Sequence, residues 1–257
     1  MALRKVRSLA GGTSFIAGFI PWWKPFVAVI WAAAAATCRE SRPDQLNDKR
    51  RKVQNVYVPT RRYRHALTWI RAFVGGWGQE ARFFSLSPKP PSRLQVIMDA
   101  SPWGMGAILL DGFTPIEYFG IALTTADLRR FNATIGESKF TTLWEALTLL
   151  ICIRQWLVQR TALRIRLKSD SLGALRLAFK LSSPSPHLNQ IAQEIALHLA
   201  LDDAQVDLLE HVPGVTNIQA DSLSRLFAPD AKDIPTSLSF AKRVHPCPRD
   251  ANFWKAW

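Results

Sequence analysis

From Leu94 onward the chain switches between two hydrophobic periods. Leu94-Gln95-Val96-Ile97-Met98 predicts a strand over 94–99, and two more short apolar runs predict strands over 106–111 and 114–119. Asp111-Gly112 between them has the chemistry of a tight hairpin turn. An irregular segment then leads to a long apolar run that predicts a helix at about 141–158. Leu163, Ile165 and Leu167 alternate with Arg164, Arg166 and Lys168, which predicts a fourth strand over 163–169 with one basic face. A helix at about 171–181 follows. The breaker Ser182-Ser183-Pro184-Ser185-Pro186 separates it from a helix over 187–200. Val206 to Val212 reads as a fifth strand and 217–227 as a last helix. Three strands, a helix, a strand, two helices, a strand and a helix predict an α/β domain: a mixed five-stranded sheet flanked by helices.

The first third of the chain is of another kind. Residues 1–36 predict helices broken around Pro21–Pro25, and 39–65 is polar and basic, with Lys49-Arg50-Arg51-Lys52 and Arg61-Arg62-Tyr63-Arg64. A helix from about Arg61 to Phe73 ends at Gly75-Gly76, and Ser87-Pro88-Lys89-Pro90-Pro91 marks a domain boundary. Three regions result: a basic, Trp-rich helical segment and linker over 1–91, an α/β domain over 92–227, and a tail over 228–257. The apolar stretch from Phe15 to Cys38 is interrupted by Pro21, Lys24 and Pro25. Its longest clean run, 26–38, is shorter than the about 20 residues of a membrane span, so no membrane segment is expected.

Charge changes the picture. Of a net +13, residues 1–91 carry 16 Lys and Arg against 4 Asp and Glu, whereas 92–257 carry 17 against 16. Such a basic segment suits a polyanion, so nucleic acid is the expected partner; a solvated basic tail or a localisation signal is the plainer alternative. Cys38, Cys152 and Cys247 are odd in number and far apart. They suggest neither zinc nor a disulfide framework and point to a reducing compartment, cytoplasmic or nuclear.

Against that scaffold four carboxylates stand out. Asp99 closes the first strand, Glu145 sits near the start of the long helix, Asp170 closes the fourth strand and Asp221 lies in the first turn of the last helix. Carboxylates gathered at element ends from four segments suit hard divalent cations, which take oxygen ligands. Two such ions can clamp the attacking and leaving oxygens of a phosphodiester. Each residue also has a plainer use. Asp170 before Ser171 reads as a turn or cap residue, and Asp221 as a favourable charge at a helix start. Glu145 belongs to a polar stripe (Thr141, Glu145, Thr148, Cys152, Gln155, Gln159) that, taken alone, is a solvated or partly packed face. Glu137 is the fallback for its role.

The segment His211-Val212-Pro213-Gly214-Val215-Thr216-Asn217-Ile218-Gln219-Ala220-Asp221-Ser222-Leu223-Ser224-Arg225 resembles the signature that closes the ribonuclease H domain of retroelement reverse transcriptases. Asp99-Ala100-Ser101 leading into Gly104-Met105-Gly106-Ala107, Trp144-Glu145-Ala146-Leu147, and Ser169-Asp170-Ser171 are similar to the earlier motifs of that domain, in order. The resemblance covers about 94–227. Leu9-Ala10-Gly11-Gly12, Phe15-Ile16-Ala17-Gly18 and Pro21-Trp22-Trp23-Lys24-Pro25-Phe26 resemble the thumb and connection segment that follows the polymerase palm, although Gly12 stands where a basic residue is usual.

The resemblance implies a ribonuclease H-like fold and cleavage of the RNA strand of RNA–DNA hybrids. It also implies Asp99, Glu145, Asp170 and Asp221 as catalytic residues and as ligands of two Mg²⁺, for which Mn²⁺ substitutes. Choice of RNA would rest on its 2′-hydroxyl. Ser101, Trp103 and Asn217 are candidate substrate contacts; Asn217 is also the expected cap of the last helix, and Trp103 serves equally as a sheet-edge cap. His211, on the fifth strand, is expected to pack rather than to act as a base. The small residues after Asp99 leave room for a nucleic-acid backbone. Trp22, Trp23, Trp31, Trp69, Trp144 and Trp156 lie in apolar helical patterns and are expected in the core. No Y-x-D-D-type polymerase motif occurs, and the lone pair Asp202-Asp203 lies in another context, so polymerisation by this chain alone is not expected. Transposase-type sites end in Glu and proofreading-type exonucleases open with D-x-E, and neither pattern is present. A catalytically silent, nucleic-acid-binding fragment of a reverse transcriptase polyprotein is the alternative.

Overall fold

A computed structural model describes residues 1–40, 56–76, 93–157, 164–201 and 205–256. The Ser87–Pro91 boundary, most of the basic linker and Asp202-Asp203 lie outside these residues. Strands β1 (Leu94–Ala100), β2 (Gly104–Asp111) and β3 (Thr114–Ala122) form an antiparallel meander, with Gly112 at φ 62° in the β2–β3 turn. β4 (Arg164–Ser169) adds parallel to β1, and β5 (Gln205–His211) parallel to β4. A sixth strand, β6 (Lys242–Arg243), pairs parallel with β3 and completes the order β5-β4-β1-β2-β3-β6. This is the mixed sheet flanked by helices that the sequence predicts, with one more strand. A two-residue strand has no periodicity to read, which is why the sequence did not reveal β6.

Alternation along β1 and β2 assigns the two faces. Val96, Met98, Met105, Ala107 and Leu109 point into the main core, where α5 (Thr141–Cys152) lies across them. Ile108 and Leu110 point to the other face, which α8 (Ile218–Ser224) covers. That face is made for close approach. A Cβ on Gly106 would lie 2.5 Å from Leu223 Cβ and 2.7 Å from Ala220 O, and one on Gly104 would lie 2.8 Å from Ser224 O. The space that these glycines leave is therefore filled by α8, not held open for a nucleic-acid backbone. Only glycine lets the helix sit this low on the sheet.

The polar stripe of α5 does not face water. Glu145, Thr148 and Cys152 are all buried: the Glu145 carboxylate meets the ends of β1 and β4, and α6 (Leu172–Lys180) and α7 (Pro186–Leu201) also pack on α5. Thr148 Oγ1 satisfies itself on Trp144 O at 2.8 Å. At its end α5 loosens into a π turn over Ile153–Leu157, which turns Trp156 onto Phe119 and lets its Nε1 donate to Glu117 Oε2 at 2.8 Å. Between β3 and α5 the segment expected to be irregular holds a short helix, α4 (Thr125–Phe131), fixed by a capping box of Thr124 and Asp127.

At the start of the chain α1 (Leu3–Phe19) and α2 (Lys24–Glu40) form a hairpin through a 3-10 turn at Pro21–Trp23, and α3 (Arg64–Val74) packs on α2. The aromatic rings of Trp23, Phe26, Trp69 and Phe73 make this junction. Trp31 departs from the core expectation: it is 43% exposed and donates to Ser14 Oγ at 3.0 Å. The helices lean on α7, where Asn189 Nδ2 donates to Pro25 O at 2.9 Å. Among the described residues, no helix is long and apolar enough to cross a membrane.

Candidate active site

Three of the four carboxylates converge where β1, β4 and the first turns of α5 meet. Ligand oxygens of Asp99, Glu145 and Asp170 all lie within 4.8 Å of one another. Asp99, 6% exposed, is the penultimate residue of β1 and receives Ser224 Oγ on Oδ2 at 2.5 Å. Glu145, 4% exposed, receives Ala100 N on Oε1 at 3.3 Å and Ser169 Oγ on Oε2 at 3.4 Å. Asp170 follows β4, and its Oδ1 is buried without a hydrogen-bond partner. No Lys or Arg among the described residues forms an ion pair with any of the three. Three carboxylates at this spacing with no protein cation, one of them carrying an unmatched buried oxygen, are a donor set suited to a hard divalent cation.

The electrostatics agree. Burial pushes the Asp99 carboxyl up from 3.8 to about 7, with the charges of Asp170 and Asp221 adding to the rise and the Ser224 hydrogen bond opposing it. Burial, then Asp99 and Asp170, raise Glu145 well above the ordinary carboxylate range. A raised carboxyl holds its proton in the folded chain while the unfolded chain has already lost it. Metal-free protein should therefore lose stability as pH climbs from about 4 to about 7, by up to about 4 kcal/mol from Asp99 alone. A cation bound by these groups reverses the cost. Added Mg²⁺ should raise the unfolding temperature far more at pH 8 than at pH 5, as read by calorimetry. A Mg²⁺ effect independent of pH would show that the ion does not meet these carboxylates.

Asp221 is set apart. It lies in the first turn of α8, with Arg225 Nε 2.6 Å from Oδ1 and Lys232 Nζ on Oδ2. Burial raises its carboxyl, but the hydrogen bonds and charges of Lys232 and Arg225 outweigh it and hold the group below the usual range.

The remaining candidates serve the main chain. Ser101 is buried; its Oγ donates to Ser224 O at 2.7 Å and accepts from Gly104 N at 3.1 Å, which ties the β1–β2 turn to α8. Asn217 precedes α8 but makes no side-chain cap. Its Nδ2 donates instead to Met98 O at 3.1 Å, fastening the helix start to β1, and its Oδ1 is buried without a partner. Trp103 is half-buried beside Gly136. His211 does not pack: it is exposed, and its Nε2 lies 3.1 Å from Asp170 O, because β5 ends at the site's edge. Glu137 pairs with Lys139 outside the cluster.

Ser224, Arg225 and Lys232 touch the carboxylates without having been candidates from sequence, as does Ser169. Ser224 and Arg225 are the Ser and Arg of the closing signature, so the signal was present. Lys232 lies beyond it with no pattern to mark it.

No protein-family model and no curated protein matches this chain. Among solved structures it is similar to ribonuclease H1 of the halophilic archaeon Halobacterium salinarum NRC-1, at 19% identity and TM-score 0.39, over 55% of this chain and all of that one. It is also similar to the dRH form of a foamy viral protease–reverse transcriptase in complex with double-stranded DNA, at 14% identity and TM-score 0.30, over 91% of this chain. The match spans about a third (36%) of that viral chain.

Proposed function

We propose that this chain is a retroelement-type ribonuclease H that hydrolyses the RNA strand of RNA–DNA hybrids with two divalent cations, Mg²⁺ or Mn²⁺. The observation that carries the reading is the group of buried Asp99 and Glu145 with half-buried Asp170, brought within 4.8 Å from three separate elements and without an ion-pair partner among the described residues. Asp221, on the helix that packs over β1, is the fourth ligand in this reading. When bound, the cations supply Lewis-acid stabilisation of the phosphodiester oxygens and a water poised to attack. The chain's own residues prepare the place. Ser224 and Ala100 N orient the Asp99 and Glu145 carboxylates, and the Asn217 and Ser101 hydrogen bonds hold α8 at the height that Asp221 needs.

Residues 1–91, with their basic excess and their likeness to a thumb and connection segment, are the proposed nucleic-acid-holding part beside a ribonuclease H domain over 92–227. Half-buried Trp103 is the proposed direct substrate contact, while buried Ser101 and Asn217 act through the main chain that they hold.

Incubation with an RNA–DNA hybrid and Mg²⁺ or Mn²⁺ should shorten the RNA strand and leave the DNA strand whole, and EDTA should stop it. Cleavage of single-stranded RNA with the hybrid left intact would overturn the assignment. Hybrid binding with no cleavage in either metal would identify the chain as a silent nucleic-acid-binding fragment.

A further inference from the structure

The four carboxylates divide unequally between the cations of the chain. Asp99, Glu145 and Asp170 have no ion-pair partner among the described residues, whereas both oxygens of Asp221 end on nitrogen. Its two partners differ in kind. Arg225 is four residues along, so helix geometry brings it to Asp221. Lys232 is eleven residues away, on a stretch with neither helix nor strand, and its side chain is 44% exposed. An ammonium on a flexible stem, partly in water, makes a weak and exchangeable pair.

The place that it occupies matters. Ser224 Oγ donates to Asp99 Oδ2 at 2.5 Å and lies 2.9 Å from Asp221 O, so one side chain of α8 joins the segments that carry the two carboxylates. A cation shared by Asp221 and the three-carboxylate group must take an Asp221 oxygen from one of these two partners, and Lys232 is the one that helix geometry does not hold in place.

We propose that Lys232 is the displaceable occupant of the second cation's place: its ammonium neutralises Asp221 in the metal-free chain and must leave before a divalent cation binds there. The proposal rests on the reading that these carboxylates hold two cations. It makes the two places unequal, because the three-carboxylate group fills against no competitor and Asp221 only after an ion pair is broken. Lys232 is thus a positioning residue that sets the metal concentration at which the site is complete.

Mn²⁺ binding to the full chain without nucleic acid tests this, by titration calorimetry with the free ion counted by paramagnetic resonance. The native chain should take one Mn²⁺ tightly and a second more weakly. Lys232→Met keeps the apolar stem and removes the charge; it should tighten the second binding roughly five- to tenfold and leave the first unchanged. Lys232→Arg should stay near the native chain. In the Asp221→Asn background, Lys232→Met should have no effect. An unchanged second affinity in Lys232→Met would overturn the proposal, as would a tightening that survives Asp221→Asn. Absence of any Mn²⁺ binding to the native chain would overturn the two-cation reading itself, a result distinguishable from either.

Discussion

Asp99→Asn should reduce hybrid cleavage by at least about a thousandfold while making the metal-free protein more stable at pH 8. The first effect follows from the ligand set: the amide keeps the shape and still accepts from Ser224, but it removes a negative charge that a hard cation needs. The several kcal/mol that a clamped oxyanion gains are lost with the ion. The second effect follows from burial. Ionising Asp99 beside Asp170 and Asp221 costs the native chain free energy above about pH 7, and Asn has nothing to ionise. Asp170→Asn should abolish cleavage as completely. Cleavage rates and thermal unfolding in EDTA, measured together, separate this from a folding defect, since loss of fold would lower both. An Asp99→Asn protein that keeps a tenth of native activity would remove the residue from the site. So would one that melts well below the native chain in EDTA, because the carboxylate would then be a structural partner rather than a stored repulsion.

How far the sequence reveals this site depends on the range of the interactions involved. The strands of the meander and the carboxylates Asp99 and Asp170 at strand ends follow from local alternation, and the structure places them as expected. Glu145 needed more. Its stripe at helical spacing describes a wet face, and only packing against the ends of β1 and β4, more than twenty residues away in either direction, buries the carboxylate. Gly104 and Gly106 misled for the same reason. A glycine states that something comes close, not what, and here it is α8 from over a hundred residues downstream. Lys232 leaves no trace in any periodicity, because it acts as a single charge on an irregular segment. Ser224 and Arg225 stand in the closing signature, but their contacts to Asp99 and Asp221 exist only once α8 lies on the sheet.

Residues of the tail over 228–257 contribute side chains to the main core of the α/β domain. Val244, Phe253 and Trp254 belong to the main core, and β6 extends the sheet. Glu194, at 0% exposure, receives Ala256 N at 2.7 Å and Lys255 N at 3.1 Å besides Arg154 at 2.7 Å, and Arg154 in turn donates to Phe253 O. Most exacting is Arg249. Its Nε lies 2.9 Å and 3.0 Å from the two oxygens of Asp127, with side chains only 6% and 1% exposed, and its Nη2 donates to Ala122 O at 2.7 Å. Arg249→Met strands a buried carboxylate that also caps α4, and should cost about 3–5 kcal/mol, a large part of the 5–15 kcal/mol typical of a whole domain. Removing residues 242–257 adds the loss of three core side chains and the bonds to Glu194, and should abolish cooperative unfolding altogether. Phe240→Ala, at a fully exposed position just before β6, should change stability by no more than about 0.5 kcal/mol. Asp127→Asn combined with Arg249→Met should recover part of the single variant's loss, since the stranded charge goes with its partner. Denaturant unfolding of the four proteins decides the matter: a truncated chain that melts with native cooperativity would show the tail to be an ornament, and equal losses in the single and double variants would show that Arg249 acts by packing alone.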